Sequence, residues 1–100
     1  MLIFKIVHAE EWRAAEAAGV YSGSAKDKED GFLHFSSEEQ LDGTVAKYYA
    51  GQRGLVLVAV DPETLGAVLK YEPSRGGELF PHLYGTLPLD VVLWTRPFQP

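Results

Sequence analysis

The sequence predicts an α+β domain: a mixed sheet of five to six short strands with two covering helices. Three observations carry this expectation. Leu55–Val60 reads LVLVAV without polar alternation, the pattern of a central strand covered on both faces. Glu10–Ala18 sets Trp12, Ala15 and Ala18 at helical spacing. Ser36-x-x-Glu39 and Ser37-x-x-Gln40 each fit a capping box, opening a second helix whose Leu41, Val45 and Tyr48 share a face. One hundred residues suffice for a single domain, residues 1–100, with one modest core.

The elements follow in order. Leu2–Val7 (LIFKIV) is β-branched and aromatic with one polar interruption, and reads as a strand. Glu10 and Glu11 suit the positive end of the first helix, and Gly19 is its stop. Val20 to Gly31, rich in Ser, Gly and Asp, reads as a loop. Phe32–Phe35 is a short strand feeding the second helix, which stops near Gly51. After the central strand, Asp61-Pro62 opens a single helical turn, Asp as cap and Pro at the first helical position. Strands are expected near Val68–Glu72, Leu79–Tyr84 and Val91–Thr95, separated by Gly76-Gly77 and by a Gly85–Pro88 turn.

Composition excludes several functions. The longest unbroken apolar run, Leu55–Val60, is far short of the roughly 20 residues of a membrane helix, so no membrane partner is expected. The opening residues do not read as a signal peptide, since Lys5 interrupts the apolar run and Glu10 and Glu11 follow. Cysteine is absent, which removes disulfides, thiolate nucleophiles and cysteine zinc sites and makes the cytoplasm the expected location. The formal charge of −5, with no basic run, argues against nucleic acid as a partner. A small anionic ligand held by one or two arginines fits better.

Strand alternation points to a site. In an extended Gly31–Ser36, Phe32, His34 and Ser36 share a side; in Leu79–Gly85, Phe80, His82 and Tyr84 do. If those faces meet across a cleft, they form an aromatic-lined pocket carrying two imidazoles and two hydroxyls, the make-up of a small-ligand site. A core role competes with this for His34, and a helix cap competes with it for Ser36. His8 reads as a junction residue. Metal binding by His34 and His82 with Glu72 or Glu78 has no compact ligand spacing behind it, and no metal is expected. Arg75, beside Gly76-Gly77, offers a planar fork of donors for phosphate or carboxylate, and Glu78 follows closely.

The order IFKI, W-x-x-A, DGFLHFSS-x-x-Q, LVLVAVD, Y-E-x-S-R-G-G and F-P-H-L-Y-G resembles a small bacterial family catalogued as domain of unknown function 952. The resemblance spans nearly the whole chain. It implies an ADP-ribosyltransferase-like fold and, with it, an enzyme acting on NAD or another ADP-ribose-type nucleotide. In that reading His34 bonds the ribose, Tyr84 or Phe80 stacks on the base, Arg75 holds the diphosphate, and Glu78 or Glu72 faces the reacting sugar. Catalysis then falls to His34, Glu78 and Tyr84, and ligand binding to Ser36, Arg75, Phe80 and His82. NAD-dependent relatives carry His-Gly-Thr or an Arg in the first strand, where this chain reads Phe4-Lys5-Ile6-Val7. The alternative is a nucleotide or small-anion binding module that uses the same cleft without chemistry.

Overall fold

A computed structural model describes residues 1–100, the side chain of Arg75 excepted. The first strand, β1, spans Ile3–His8 and passes directly into helix α1, Ala9–Ala18, which Gly19 ends in a left-handed conformation at φ 80°. A two-residue strand β2 (Val20–Tyr21) follows, then helix α2 (Ala25–Asp30) where a loop is predicted. AKDKED has no apolar periodicity to announce a helix. Its ends hold it instead: Ser24 and Asp27 form a reciprocal capping box, and Gly31 closes the last turn at φ 88°.

The predicted Phe32–Phe35 strand is split. Strand β3 (Leu33–His34) and strand β4 (Ser36–Ser37) pair with different partners, and Phe35 between them donates its N–H to the Pro81 carbonyl at 3.0 Å. Helix α3 (Glu38–Tyr48) is capped by Ser37, reciprocally with Gln40. Strand β5 is Leu55–Val60, as predicted, and Asp61 caps the turn at Pro62–Thr64. The remaining strands are β6 (Leu69–Pro73), β7 (Leu79–Leu83), β8 (Leu87–Pro88) and β9 (Val92–Phe98).

Among the described residues the single mixed sheet expected from sequence is corrected to three antiparallel sheets, ordered β4-β1-β5-β9, β3-β7-β6 and β2-β8, with three helices in place of two. The break at Phe35 is the physical reason: it hands the chain from the β7 sheet to the β1 sheet within three residues.

Strand β5 has both faces covered. Val58 and Val60 pack with Ile3, Val7, Trp12 and Ala15 beneath α1, while Leu57 and Ala59 pack with Phe4 and Ile6 against Leu41, Val45 and Tyr49. Hydrophobic burial on two sides explains the missing polar alternation. One residue breaks the apolar pattern of β1. Lys5, between Ile3 and Val7 on the same face by alternation, is only 5% exposed. Among the described residues no helix is long and apolar enough to cross a membrane.

Candidate functional site

A cleft of about 530 Å³ opens between β1, α2, α3 and the strands that carry the histidines. Phe4 and Ile6 of β1 and Tyr48 and Tyr49 of α3 and its end give it an apolar, aromatic wall. Ser36, His34, His82 and Phe80 line the same cleft. The split after His34 brings Ser36 beside Phe4 of β1, and Ser36 Oγ lies 2.8 Å from Thr44 Oγ1 of α3. Ser36 is therefore not the cap; Ser37 does that work.

A buried ion network holds one side of the cleft. The Lys5 ammonium donates to both carboxylate oxygens of Asp27, at 3.1 and 2.9 Å, and to the His34 carbonyl at 3.0 Å. Asp27 also accepts the N–H groups of Ser24 (2.9 Å) and His34 (3.1 Å), and His34 Nδ1 lies 2.6 Å from it. Burial alone would raise the Asp27 carboxyl, but the His34 bond, the Lys5 charge and the Ser24 N–H outweigh it and hold the acid well below its ordinary range. Burial pulls the Lys5 ammonium down, opposed by Asp27. Gly23 makes room for this packing: a Cβ there would meet the Asp27 Cβ at 2.9 Å. The second nitrogen of His34, Nε2, lies 2.9 Å from Asp30 of α2. A ring facing carboxylate oxygens with both nitrogens satisfies both only when both carry protons.

The other histidine is arranged differently. His82 Nδ1 is 2.8 Å from Glu72 of the neighbouring strand β6, and the same Glu72 oxygen accepts the Tyr84 hydroxyl at 2.7 Å. The Tyr84 and His82 bonds lower the Glu72 carboxyl, and the bond to Glu72 raises the Tyr84 phenol. The Phe32 ring stacks on His82 at 4.0 Å and reaches His34 at 4.7 Å and Tyr84 at 5.2 Å. His34 and His82 are direct cross-strand partners, their rings edge to face at 5.6 Å.

Of the residues singled out from sequence, His34, Ser36, Phe80 and His82 line the cleft. Tyr84 does not. It lies one step further along the face of His82, beyond Phe32, and is 38% exposed. Glu78 is exposed outside the lining, and its carbonyl accepts the Ser74 N–H at 2.9 Å to close the turn in which Gly76 and Gly77 take φ of 69° and 82°. The side chain of Arg75 lies outside the described residues. His8, read as a junction residue, lines the cleft mouth. Sequence reasoning missed Lys5, Asp27 and Asp30. The available signals were a lone lysine inside an apolar strand and the Ser24-x-x-Asp27 spacing. No group of three or more His, Asp or Glu among the described residues is arranged to hold a metal ion.

The family model "Protein of unknown function (DUF952)" matches residues 6–95. The chain belongs to this family. It is also similar to the crystal structure of protein CC0527 from Caulobacter crescentus, at 48% identity and a TM-score of 0.96, over 99% of this chain and 87% of that one. A double mutant of CC0527 matches at 47% and 0.96, with the same coverage. The solution NMR structure of CC0527 matches at 49% and 0.89, over 98% and 84%. No curated protein matches the chain.

Proposed function

We propose that the cleft binds a small anionic ligand that carries a planar ring, a nucleotide of the ADP-ribose type. The observation that carries this reading is the charge pattern of the lining. The chain has fourteen acidic residues, yet among the described residues only Asp27 and Asp30 of these line the cleft, and both already face cations or histidine. Lys5, Lys26, His8, His34 and His82 line it as well, so any protonated imidazole makes the cleft positive on an otherwise acidic chain. Phe4, Phe80, Tyr48 and Tyr49 supply ring surfaces for a base.

The expected ADP-ribosyltransferase-like fold and transfer chemistry would require an acid facing the reacting sugar. Glu78 stands on an exposed turn, and Glu72 is bonded to His82 and Tyr84. Ligand binding is thus better supported than transfer of ADP-ribose.

Thermal unfolding with AMP, ADP-ribose, NAD and adenosine tests the reading. A ligand held only by the native state adds about 2.7 kcal/mol at a hundredfold excess over its Kd. Tyr48 is 52% exposed and Lys26 65% exposed, so neither carries much stability. Tyr48→Ala is expected to weaken all four ligands. Lys26→Ala is expected to weaken the charged ones and spare adenosine. Absence of any shift with all four would retire the proposal.

A further inference from the structure

We infer that this cleft also carries out general acid–base cleavage of a nucleoside phosphodiester, with His82 as the base and His34 as the acid. The inference rests on the nucleotide-binding reading and adds a reaction to it.

The two histidines are held in complementary ways. His82 is tied through Nδ1 alone, to Glu72, and Nε2 has no hydrogen-bond partner among the described residues. His82 lines the cleft although its side chain is only 5% exposed, so Nε2 is the ring nitrogen left to meet a ligand there. With Nδ1–H donated to Glu72, Nε2 presents a lone pair, the form required of a base. Glu72 and Tyr84 act on this ring as positioning residues, Glu72 by fixing the tautomer and Tyr84 by fixing Glu72. His34 has the opposite arrangement: both ring nitrogens face carboxylates, Asp27 at Nδ1 and Asp30 at Nε2, which places Nε2 as a donor, the role required of an acid. Asp27 is buried, whereas Asp30 is 28% exposed, so the Nε2 proton is the one that can be exchanged onto a substrate. Cross-strand pairing sets the two rings edge to face at 5.6 Å, in contact, so a phosphate would lie across both rather than between them.

The donor set selects this chemistry. Cleavage of a glycosidic bond calls for a free carboxylate at the sugar, and Asp27 and Asp30 are both engaged. A phosphodiester needs a base, an acid and nearby positive charge, which His82, His34 and Lys26 provide. In the step, water loses a proton to His82 Nε2 as its oxygen bonds to phosphorus. The bond from phosphorus to the leaving oxygen breaks, its electron pair stays on that oxygen, and the oxygen takes the Nε2 proton of His34. Solvent then removes the proton from His82 and returns one to His34. The products are a phosphomonoester and an alcohol.

The test incubates the full chain with adenosine 2′,3′-cyclic phosphate, adenosine 3′,5′-cyclic phosphate and the dinucleotide ApA, follows products by phosphorus NMR, and measures binding of AMP, ADP-ribose, NAD and adenosine in parallel. At least one diester is expected to be cleaved, with the rate unchanged by a chelator. His82→Ala should lower kcat by roughly 10²–10⁴-fold, and added imidazole should restore part of the rate. If that variant does not fold, Glu72→Gln decides: kcat should fall at unchanged KM and melting temperature. Wild type that binds any of these four but cleaves none of the three diesters overturns the catalytic inference alone. Wild type that binds none of AMP, ADP-ribose, NAD and adenosine overturns the ligand reading and this inference with it. Full activity in Glu72→Gln, or loss of activity with chelator, also overturns it.

Discussion

Each of the two cross-strand histidines faces a carboxylate through Nδ1, at 2.6 Å for His34–Asp27 and 2.8 Å for His82–Glu72, and the pairs are built to opposite plans. In the first, the carboxylate is buried (2% exposed) and the histidine partly open (32%); in the second, the histidine is buried (5%) and the carboxylate open (35%). Which partner is withdrawn from water decides what the pair is for. A buried carboxylate must be neutralised by everything around it, so Asp27 gathers Lys5, Ser24 and His34 and becomes a structural anchor. A buried imidazole with a solvated carboxylate needs only one bond for its orientation, which leaves its second nitrogen for other work.

The largest effect expected from this contrast is that of Asp27→Asn. It strands the buried Lys5 ammonium, and breaking a buried pair costs about 3–5 kcal/mol, readable in urea unfolding. A loss below 1 kcal/mol would mean that the ammonium finds other partners and the anchor is not electrostatic.

Acid titration is the second way to probe the contrast. The Asp27 carboxyl is held low in the folded state, so the unfolded chain takes up its proton first, at about pH 3.9. The stabilisation is complete above that pH and is lost as pH falls through the range below it. Stability of the wild type is expected to decline steeply with acid there, and that of Asp27→Asn to decline less. Parallel curves would remove Asp27 from the account.

Ser24→Ala comes third. It removes the hydroxyl that caps α2, the helix delivering Asp27, and the expected loss is about 1 kcal/mol. The smallest effect belongs to the other pair: Glu72→Gln keeps an acceptor for His82 on a part-exposed residue, and the urea midpoint should not move. A large loss from Glu72→Gln would erase the distinction between the pairs.

Local signals made much of the fold readable. The β5 run, the Trp12 helix and the Asp61-Pro62 turn each depend on neighbours within a few residues and are found where sequence put them. Of the two capping boxes read before the second helix, the structure uses Ser37–Gln40. Division into three sheets depends on Phe35 bonding to Pro81, forty-six residues away, which no local pattern encodes. Helix α2 lacked an apolar stripe, although its capping box was present as Ser24-x-x-Asp27. For the site, alternation brought His34, Ser36, Phe80 and His82 to one cleft, because period-two geometry survives small errors in strand ends. Asp27 could not be paired with Lys5 from sequence, since twenty-two residues separate them and either could have been solvated.

Lys5 bears on the chain before it has folded. The strand β1 pairs along its length with β5, so Ile3 waits for Val60 to be made before the sheet can form. Through that interval Leu2–Val7 is an exposed, β-prone segment without proline, the kind that recruits identical segments into cross-β stacks. Its one charge sits in the middle of the run. A lysine there repels its own copies in neighbouring chains and acts as a gatekeeper against aggregation. The same ammonium can be buried only when a carboxylate arrives to meet it, which Asp27 does in the native sheet and a stacked copy of Leu2–Val7, with no acid of its own, cannot. Lys5 thereby makes native pairing of β1 compatible with burial and self-pairing costly.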